Sequence, residues 1–316
     1  MKLTDFDIYS ALLKERSGLV LTEDKVYLIE SRLNPVAKKW GYSSLEAMTV
    51  ALQGVPDKNL ITDIVEAMTT NETSFFRDTR PFDMFKDHLL TYMKEARSPQ
   101  KKVRIWCAAS SSGQEPYTLA MLLKEASANY PGWSFEIIAT DISNDILDQA
   151  REGVYTQFEV QRGLPINLLM KYFVQNDDQK WQISDEIKSM VKYQYFNLLD
   201  PMISLGNFDI IFCRNVLIYF NEETKGDVSG RMSKLIAKDG FLVLGGAETV
   251  IGITEEFVSV PDKRGVYATK DSPHVSKKPD GESTFTPRAT TAAAGTSTPG
   301  SSALGVPTKT NTTTGH

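Results

Sequence analysis

Apolar side chains near the start of the chain recur at the three- and four-residue spacing of an amphipathic helix. Phe6, Tyr9, Leu12 and Leu13 follow this spacing, and similar patterns continue to about residue 68. We therefore predict a small all-helical domain over residues 1–75.

Three basic residues of this region are seven positions apart. On one continuous helix, Lys25, Arg32 and Lys39 would share a face, although Pro35 is able to kink or split that helix. One interpretation is an ordinary solvated face. The other is a docking surface for an acidic partner helix.

After about residue 100, short β-branched and aromatic runs alternate with helical patterns. This order is typical of a doubly wound parallel sheet. The fold class predicted for residues 76–273 is α/β, and its strands are expected at residues 103–107, 135–140, 193–197, 208–213, 240–244 and near 265–269.

Two short runs, KYFVQ and KWQIS, interrupt this alternation and are joined by residues 176–179. They predict an antiparallel hairpin, which we place in an inserted β subdomain over residues 167–192. Beyond it, residues 274–316 are rich in Ser, Thr, Pro, Gly and Ala, a composition that predicts a disordered tail. A chain ending near Lys270 is accordingly expected to fold and function normally.

Composition narrows the class of protein. The 316 residues are 41% hydrophobic and 24% charged, with a formal net charge of -5, so a sizeable core is expected and nucleic acid is disfavoured as a partner. The first ten residues lack the order of a secretory signal, and no apolar run reaches the roughly 18 residues of a membrane helix. We expect a cytoplasmic monomer without membrane insertion.

Cysteine and histidine usage argues against a metal. Cys107 and Cys213 lie far apart, each within an apolar run, and only three histidines are present. This pattern favours reduced, buried thiols over a disulfide or a metal framework.

The segment VRIWCAASSSGQEPYTLAM carries the first chemical signal. A predicted strand ends in small residues up to Gly113, and a helix begins near Pro116, so a nucleoside could approach the backbone closely. Gln114 and Glu115 stand where a phosphate loop would have Lys and Ser or Thr. An acidic residue suits a cationic cofactor without phosphates, such as S-adenosylmethionine.

Asp141 ends the next predicted strand, in FEIIATDIS. This position lets a carboxylate accept both hydroxyls of a ribose, although a helix cap or a turn explains such a residue equally well. A dinucleotide site would contain more glycines in the preceding loop.

Polar residues also follow the buried strand in FDIIFCRNVLIYF. Arg214, Asn215 and Tyr219 come after it, at the edge where open α/β sheets bind ligands. The Asn-Pro-Pro-Tyr-like sequence common in amino-methylating enzymes is replaced here by Cys-Arg-Asn-Val, which disfavours nitrogen as the methyl acceptor. Before the sheet, TTNETSFFRD places Asn71, Thr73 and Arg77 around two phenylalanines, and helix capping with core packing would also explain them.

The motifs NETSFFRD, CAASSSGQEPYTLAM, ATDIS, YFNLLD and FCRNVLIYF occur in one order. In this order the chain resembles the chemotaxis receptor glutamate methyltransferases, the CheR family, over about residues 4–270. The resemblance implies adenosylmethionine as cofactor, receptor glutamates as methyl acceptors, and the cytoplasmic helical region of chemoreceptors as partner. It also implies the helical amino-terminal domain and the inserted hairpin.

The resemblance further implies roles for ten residues. Asn71, Thr73 and Arg77 would contact adenosylmethionine from the interdomain side, and Glu115 would hold its amino-acid end. The ribose would bind Asp141. The remaining positions are Asn197 and Leu198 along the adenine, Arg214 and Asn215 near the methionine part, and Tyr219 near the reactive sulfur, with Arg77 and Tyr219 as the candidate catalytic residues.

The residues alone leave three alternative functions open. A methyltransferase with another acceptor would keep the cofactor motifs but need not keep the helical domain or the hairpin. A nicotinamide dehydrogenase would need the fuller glycine pattern. A binding module without catalysis should have lost ligand residues, whereas every expected position is filled.

Overall fold

Four helices form the amino-terminal region of the computed structural model, which describes residues 2–275. They pack around one apolar core that includes Tyr9, Leu13 and Ile64. The predicted tail lies outside the described residues from residue 276 onward. The helices are α1 (Leu3–Ser17), α2 (Val26–Lys39), α3 (Leu45–Leu52) and α4 (Lys58–Met68).

Helix α2 continues through Pro35 without interruption, and its basic residues have partners within the protein. The Arg32 guanidinium donates to the carbonyls of Met68 and Thr69 at 2.9 and 2.8 Å, which satisfies acceptors left free at the end of α4. Lys39 forms an ion pair with Asp63 at 2.8 Å. These contacts give Arg32 and Lys39 a structural role, so the docking interpretation loses support.

The second region is built on a seven-stranded sheet of order β6-β2-β1-β7-β8-β10-β9. The first five strands in that order pair in parallel, and β10 pairs antiparallel with both β8 and β9. The strands are β1 (Lys102–Ala108), β2 (Ser134–Asp141), β6 (Val191–Tyr195), β7 (Phe208–Cys213), β8 (Ile236–Leu244), β9 (Phe257–Ser259) and β10 (Val266–Thr269).

All six predicted strands are therefore present, and the doubly wound α/β prediction is confirmed. Strand β9 was missed because three residues are too few to show a period. The helices of this region are α5 (Arg80–Met84), α6 (Leu90–Ala96), α7 (Gln114–Ala126), α8 (Asn144–Glu152), α9 (Gln157–Gln161), α10 (Ile166–Tyr172), α11 (Asp185–Lys188) and α12 (Glu222–Ser233).

The inserted subdomain is a three-stranded antiparallel sheet of order β3-β5-β4. The predicted hairpin is present as β4 (Phe173–Gln175) and β5 (Trp181–Ile183). Its third strand, β3 (Val154–Tyr155), begins earlier than the predicted boundary at residue 167. A two-residue strand leaves no alternation to detect, so only its pairing with β5 identifies it.

Alternate residues of the central strands enter two apolar cores, one on each face of the sheet. Cys107 of β1 belongs to one core and Cys213 of β7 to the other. Both are free and buried thiols, as the sequence predicts, and burial raises the pKa of each. Among the described residues, no helix is both long and apolar enough to cross a membrane.

The loop between β1 and α7 adopts left-handed backbone conformations at residues other than glycine. Ala109 has a φ of 62° and Ser111 of 49°, where a Cβ atom meets the following carbonyl oxygen. Gly113 has a φ of 94°, and a Cβ there would lie 2.6 Å from the Tyr193 hydroxyl. Because Ala109 and Ser111 carry a Cβ atom at these two positions, the loop keeps its shape at a cost in backbone strain.

Ala109→Gly should therefore stabilise the fold. Relief of about 1–2 kcal/mol of left-handed strain, less roughly 0.5–1 kcal/mol for the larger entropy of unfolded glycine, leaves a net gain of about 0.5–1 kcal/mol. Urea unfolding measures it. Ala11→Gly, on the exposed face of α1, should instead lose about 0.5–1 kcal/mol, and a loss in both variants would contradict the strain argument.

The carboxyl end of the described chain packs on the sheet. The His274 ring lies 4.3 Å from that of Phe241 and 4.4 Å from that of Tyr92 between centroids, and its Nε2 atom is 3.0 Å from the Asp239 carbonyl oxygen. Ordered packing thus reaches past Lys270, which the composition of the tail does not reveal.

A chain ending at Lys270 should consequently lose stability, contrary to the expectation from composition. Loss of the His274 ring contacts should lower the free energy of unfolding by about 1–2 kcal/mol. A chain ending at Val275 should match the full-length protein in thermal unfolding. Equal melting temperatures for all three chains would show that the His274 contacts contribute nothing.

Candidate active site

A cleft opens between the helical region and the carboxyl ends of β1, β2 and β7. The chain order reverses between β1 and β7, and ligands of open α/β sheets bind at such a point. All ten residues singled out in the sequence line the cleft: Asn71, Thr73, Arg77, Glu115, Asp141, Asn197, Leu198, Arg214, Asn215 and Tyr219.

Asp141 is the last residue of β2, and the residue is 6% exposed. Its Oδ2 accepts the Ser111 backbone N–H at 2.8 Å, and its Oδ1 accepts the Ser143 backbone N–H at 3.1 Å. Burial raises the pKa of Asp141, and these backbone hydrogen bonds oppose the rise. Each oxygen retains a lone pair for a further donor from the cleft.

Glu115 lies in the first turn of α7 and is almost fully buried. Its Oε2 accepts from the Arg214 guanidinium at 2.8 Å. Burial raises the pKa of Glu115, and Arg214 opposes the rise.

Arg214 connects Glu115 to the interdomain segment. Its side chain is 2% exposed, and it also donates to the Arg77 carbonyl at 2.7 Å and the Asp78 carboxylate at 2.9 Å. The guanidinium carbon lies 5.3 Å from the centre of the Phe82 ring, where cation–π attraction adds to the ion pairs.

The interdomain segment 71–79 has a strained backbone where it meets Arg214. Phe76, Asp78 and Thr79 have φ angles of 50°, 67° and 40°, which are costly for residues with side chains. At the other end of the segment, the Ser111 hydroxyl donates to the Asn71 carbonyl at 2.8 Å. Contacts with the sheet region therefore determine the path of this segment.

Asn197 joins the two regions directly. Its side-chain amide donates to the Arg16 carbonyl of α1 at 2.7 Å, and its side-chain oxygen accepts from the Leu199 backbone N–H at 3.0 Å. The Asn197 side chain is thus already hydrogen-bonded within the protein. After the end of β6, the groups left for a ligand are the Asn197 backbone and the adjacent buried Leu198 side chain.

The loop after β7 carries Asn215 and Tyr219. Tyr219 accepts the Val20 backbone N–H through its carbonyl at 3.0 Å, and its half-buried side chain lines the cleft. Sequence reasoning missed Glu248, which is 8% exposed and accepts backbone N–H groups from this loop. No local pattern marks it, because its partners in this loop lie 30 to 33 residues away.

The balance of buried charge in and beside the cleft is negative. Three acidic residues, Glu115, Asp141 and Glu248, are buried here, and one basic residue, Arg214. Adenosylmethionine brings a sulfonium, an ammonium and one carboxylate, so it would add the positive charge that such a site favours.

Two buried polar atoms of the cleft residues also lack a partner within the described chain: the Ser110 hydroxyl oxygen and the Arg214 Nε. Buried polar atoms are usually satisfied, so the residues fit a polar ligand at this place. Within residues 2–275, no group of three or more His, Cys, Asp or Glu side chains is arranged to hold a metal ion.

Comparison with known proteins agrees with this geometry. Residues 4–69 match the family described as the CheR methyltransferase all-alpha domain, and residues 71–266 match the CheR methyltransferase SAM binding domain. The two matches together span both regions that border the cleft.

Curated relatives are similar over most of their length. The chemotaxis protein methyltransferase Cher2 of Pseudomonas putida is 37% identical over 265 residues, which cover 83% of this chain and 96% of the relative. Chemotaxis protein methyltransferases of Vibrio parahaemolyticus and Salmonella typhimurium are 39% and 31% identical, covering 82% and 78% of this chain and 94% and 84% of theirs. The chain therefore belongs to the CheR family of chemotaxis methyltransferases, and its cofactor is S-adenosylmethionine.

Proposed function

We propose that this methyltransferase esterifies glutamate side chains in the cytoplasmic helical region of methyl-accepting chemotaxis receptors. The products are glutamate methyl esters and S-adenosylhomocysteine, and the enzyme acts in the cytoplasm as a monomer. The observation that carries the proposal is the single cleft that brings together all ten residues implied by the family resemblance. Three curated relatives named as chemotaxis protein methyltransferases support it.

The carboxylates of the cleft are assigned to the cationic and hydroxyl groups of the cofactor. Asp141 accepts the ribose hydroxyls with the lone pairs that Ser111 and Ser143 leave free. Glu115 accepts from the ammonium group of the methionine part, because its second oxygen is not used by Arg214. A charge-assisted hydrogen bond of this kind is stronger than a neutral one.

The other residues shape the cleft around these two anchors. Leu198 and the Asn197 backbone lie along the adenine, while Arg214 and Asn215 close the site near the methionine part. Asn71, Thr73 and Arg77 cover the cofactor from the interdomain side. Tyr219 and Arg77, which both line the cleft, are the candidate catalytic residues.

The acceptor glutamate needs no general base. Its ordinary pKa of about 4.3 leaves it ionised at neutral pH, and bound adenosylmethionine supplies the methyl group as an electrophile. The protein must hold the carboxylate oxygen in line with that group and exclude water, because solvation favours the separated charges. Well-oriented reactants can gain roughly 7–11 kcal/mol in this way.

Asp141→Asn and Glu115→Gln should each weaken the affinity for S-adenosylhomocysteine about ten- to a hundredfold, because each variant loses a charged acceptor worth about 1.5–3 kcal/mol. Isothermal titration calorimetry gives the dissociation constants. Glu255→Gln makes the same charge change at an exposed position and should leave affinity unaltered. Unchanged affinity in both variants, if they are folded, would contradict the assignment of Asp141 and Glu115 to the cofactor.

Affinity should also fall as the pH is lowered. The carboxylates of Asp141 and Glu115 accept hydrogen bonds on both oxygens only when they are ionised. Burial raises the pKa of both groups. As the pH is lowered, the affinity of the wild type for adenosylhomocysteine should therefore begin to fall above pH 3.8 and 4.5, the ordinary pKa values of Asp and Glu side chains. Asp141→Asn should make the affinity depend less on pH. The same pH dependence in this variant as in the wild type would contradict the role of the Asp141 carboxylate.

The inserted subdomain bears on how the receptor is reached. Some family members bind a peptide at the receptor's carboxyl terminus along the edge of this sheet, by strand addition. Here the connection after β4 is a tight turn: the Asn176 backbone N–H donates to the Lys180 carbonyl, and the Asn176 Oδ1 accepts from the Lys180 N–H, both at 2.8 Å. Asp177 and Asp178 in this turn would repel an acidic peptide, so the proposed enzyme works without such a tether.

Labelled adenosylmethionine and receptor-enriched membranes test the reaction. The expected result is base-labile label on receptor glutamates, at the same rate for receptors whose carboxyl-terminal peptide has been deleted. Label that resists base, or that resides on lysine, would contradict esterification of glutamate. Micromolar binding of the terminal peptide, together with loss of methylation on its deletion, would contradict untethered docking alone.

A further inference from the structure

Glu248, between β8 and β9, accepts four backbone N–H groups through one buried carboxylate. Its Oε2 accepts from Asn215 at 2.6 Å and from Gly245 at 2.8 Å. Its Oε1 accepts from Val216 at 2.9 Å and from Ile218 at 3.3 Å. Three of the four donors belong to the loop that carries Asn215 and Tyr219 into the cleft.

The loop cannot supply these acceptors itself. Asn215 has a left-handed φ of 59°. Ile218 lies in a 3-10 helix of one turn, Leu217–Tyr219, whose first N–H groups have no partner inside the turn. Successive backbone N–H groups in such a bend converge on one point and form a site for an anion. The Glu248 carboxylate occupies that point.

Gly245 is fitted to this arrangement. A Cβ atom there would lie 2.7 Å from the Glu248 Oε2 and 2.9 Å from the Asn215 Nδ2. The neighbouring Gly246 has nothing within 4 Å of its Cβ position. The close approach of the loop, the carboxylate and the end of β8 is therefore specific to one glycine of the pair.

The far end of the same loop is held by the helical region, through the Val20 N–H and the Tyr219 carbonyl at 3.0 Å. The backbone of residues 215–219 is thus held on two sides, by Glu248 on the sheet side and by Val20 on the helical side. Glu248 is absent from the lining of the cleft, so it would act through the loop.

We propose that Glu248 is a positioning residue for methyl transfer: its carboxylate holds the 214–219 loop so that Asn215 and Tyr219 face the reacting groups. The inference rests on the proposed function for the role of the loop in turnover. The two charged anchors of the cofactor, Asp141 and Glu115, lie outside the 214–219 loop, which adds only Arg214 and Asn215 beside the methionine part. Glu248 should therefore influence turnover more than affinity.

Glu248→Gln gives the first test, because an amide replaces one of the two acceptor oxygens with a donor group that faces N–H donors. We expect kcat to fall about a hundredfold, the size of effect that a misplacement of about 1 Å can cause, while the dissociation constant for adenosylhomocysteine changes less than about fivefold. Glu255→Gln is the matched control with the same charge change at an exposed residue.

Gly245→Ala gives the second test and leaves the carboxylate in place. It should reproduce the loss of kcat with retained affinity, whereas Gly246→Ala should behave as the wild type. If either disruptive variant is partly unfolded, kcat is expressed per folded molecule from the melting curve. Recovery of full kcat after that correction would mean a merely structural role and would overturn the proposal.

Hydrogen–deuterium exchange supplies a readout that needs no methyl acceptor. Peptides covering residues 214–220 should lose protection in Glu248→Gln and keep it in Glu255→Gln. Unchanged protection and turnover in Glu248→Gln would overturn the proposal. If receptor glutamates are not the acceptors, the wild type itself fails to methylate them. The exchange experiment still reports on the hydrogen bonds between Glu248 and the loop.

Discussion

The buried Arg214 guanidinium is the interaction on which the site depends. It follows the central strand β7, forms an ion pair with Glu115 at the start of α7, and donates to the backbone and side chain of the interdomain segment at Arg77 and Asp78. A buried charge left without a partner is strongly destabilising. These partners come from three separate parts of the chain, so satisfying one guanidinium brings the sheet, its first helix and the cover of the cleft together.

The same electrostatics links structure to chemistry. Carboxylates outnumber the guanidinium in the buried part of the site, and burial raises the pKa of Asp141 and Glu115. Ligands that carry positive charge relieve this imbalance, whereas phosphates would worsen it. In the proposed reaction an anionic methyl acceptor and a sulfonium lose charge together during transfer, so exclusion of water from the cleft would favour it.

The two appended units contribute to the cleft by different contacts. The helical region reaches it through the Asn197 contact with Arg16 and the Val20 contact with Tyr219. The inserted subdomain reaches the first loop through the buried Tyr155 of β3, whose hydroxyl donates to the Ser112 carbonyl at 2.8 Å. Its ring also packs edge-on against Phe75 at 5.0 Å. Both units therefore stabilise loops that a sheet alone would leave mobile.

The sequence by itself determined the fold class, because buried strands such as Phe208–Cys213 appear as local apolar runs. It also determined which polar residues end those strands, and parallel strands bring their carboxyl ends to one edge. Only the tertiary structure decided the partners: Arg32 caps α4, Glu248 binds a loop some 30 residues away, and β3 pairs with β5. These contacts join residues distant in sequence, and no local period or spacing encodes them.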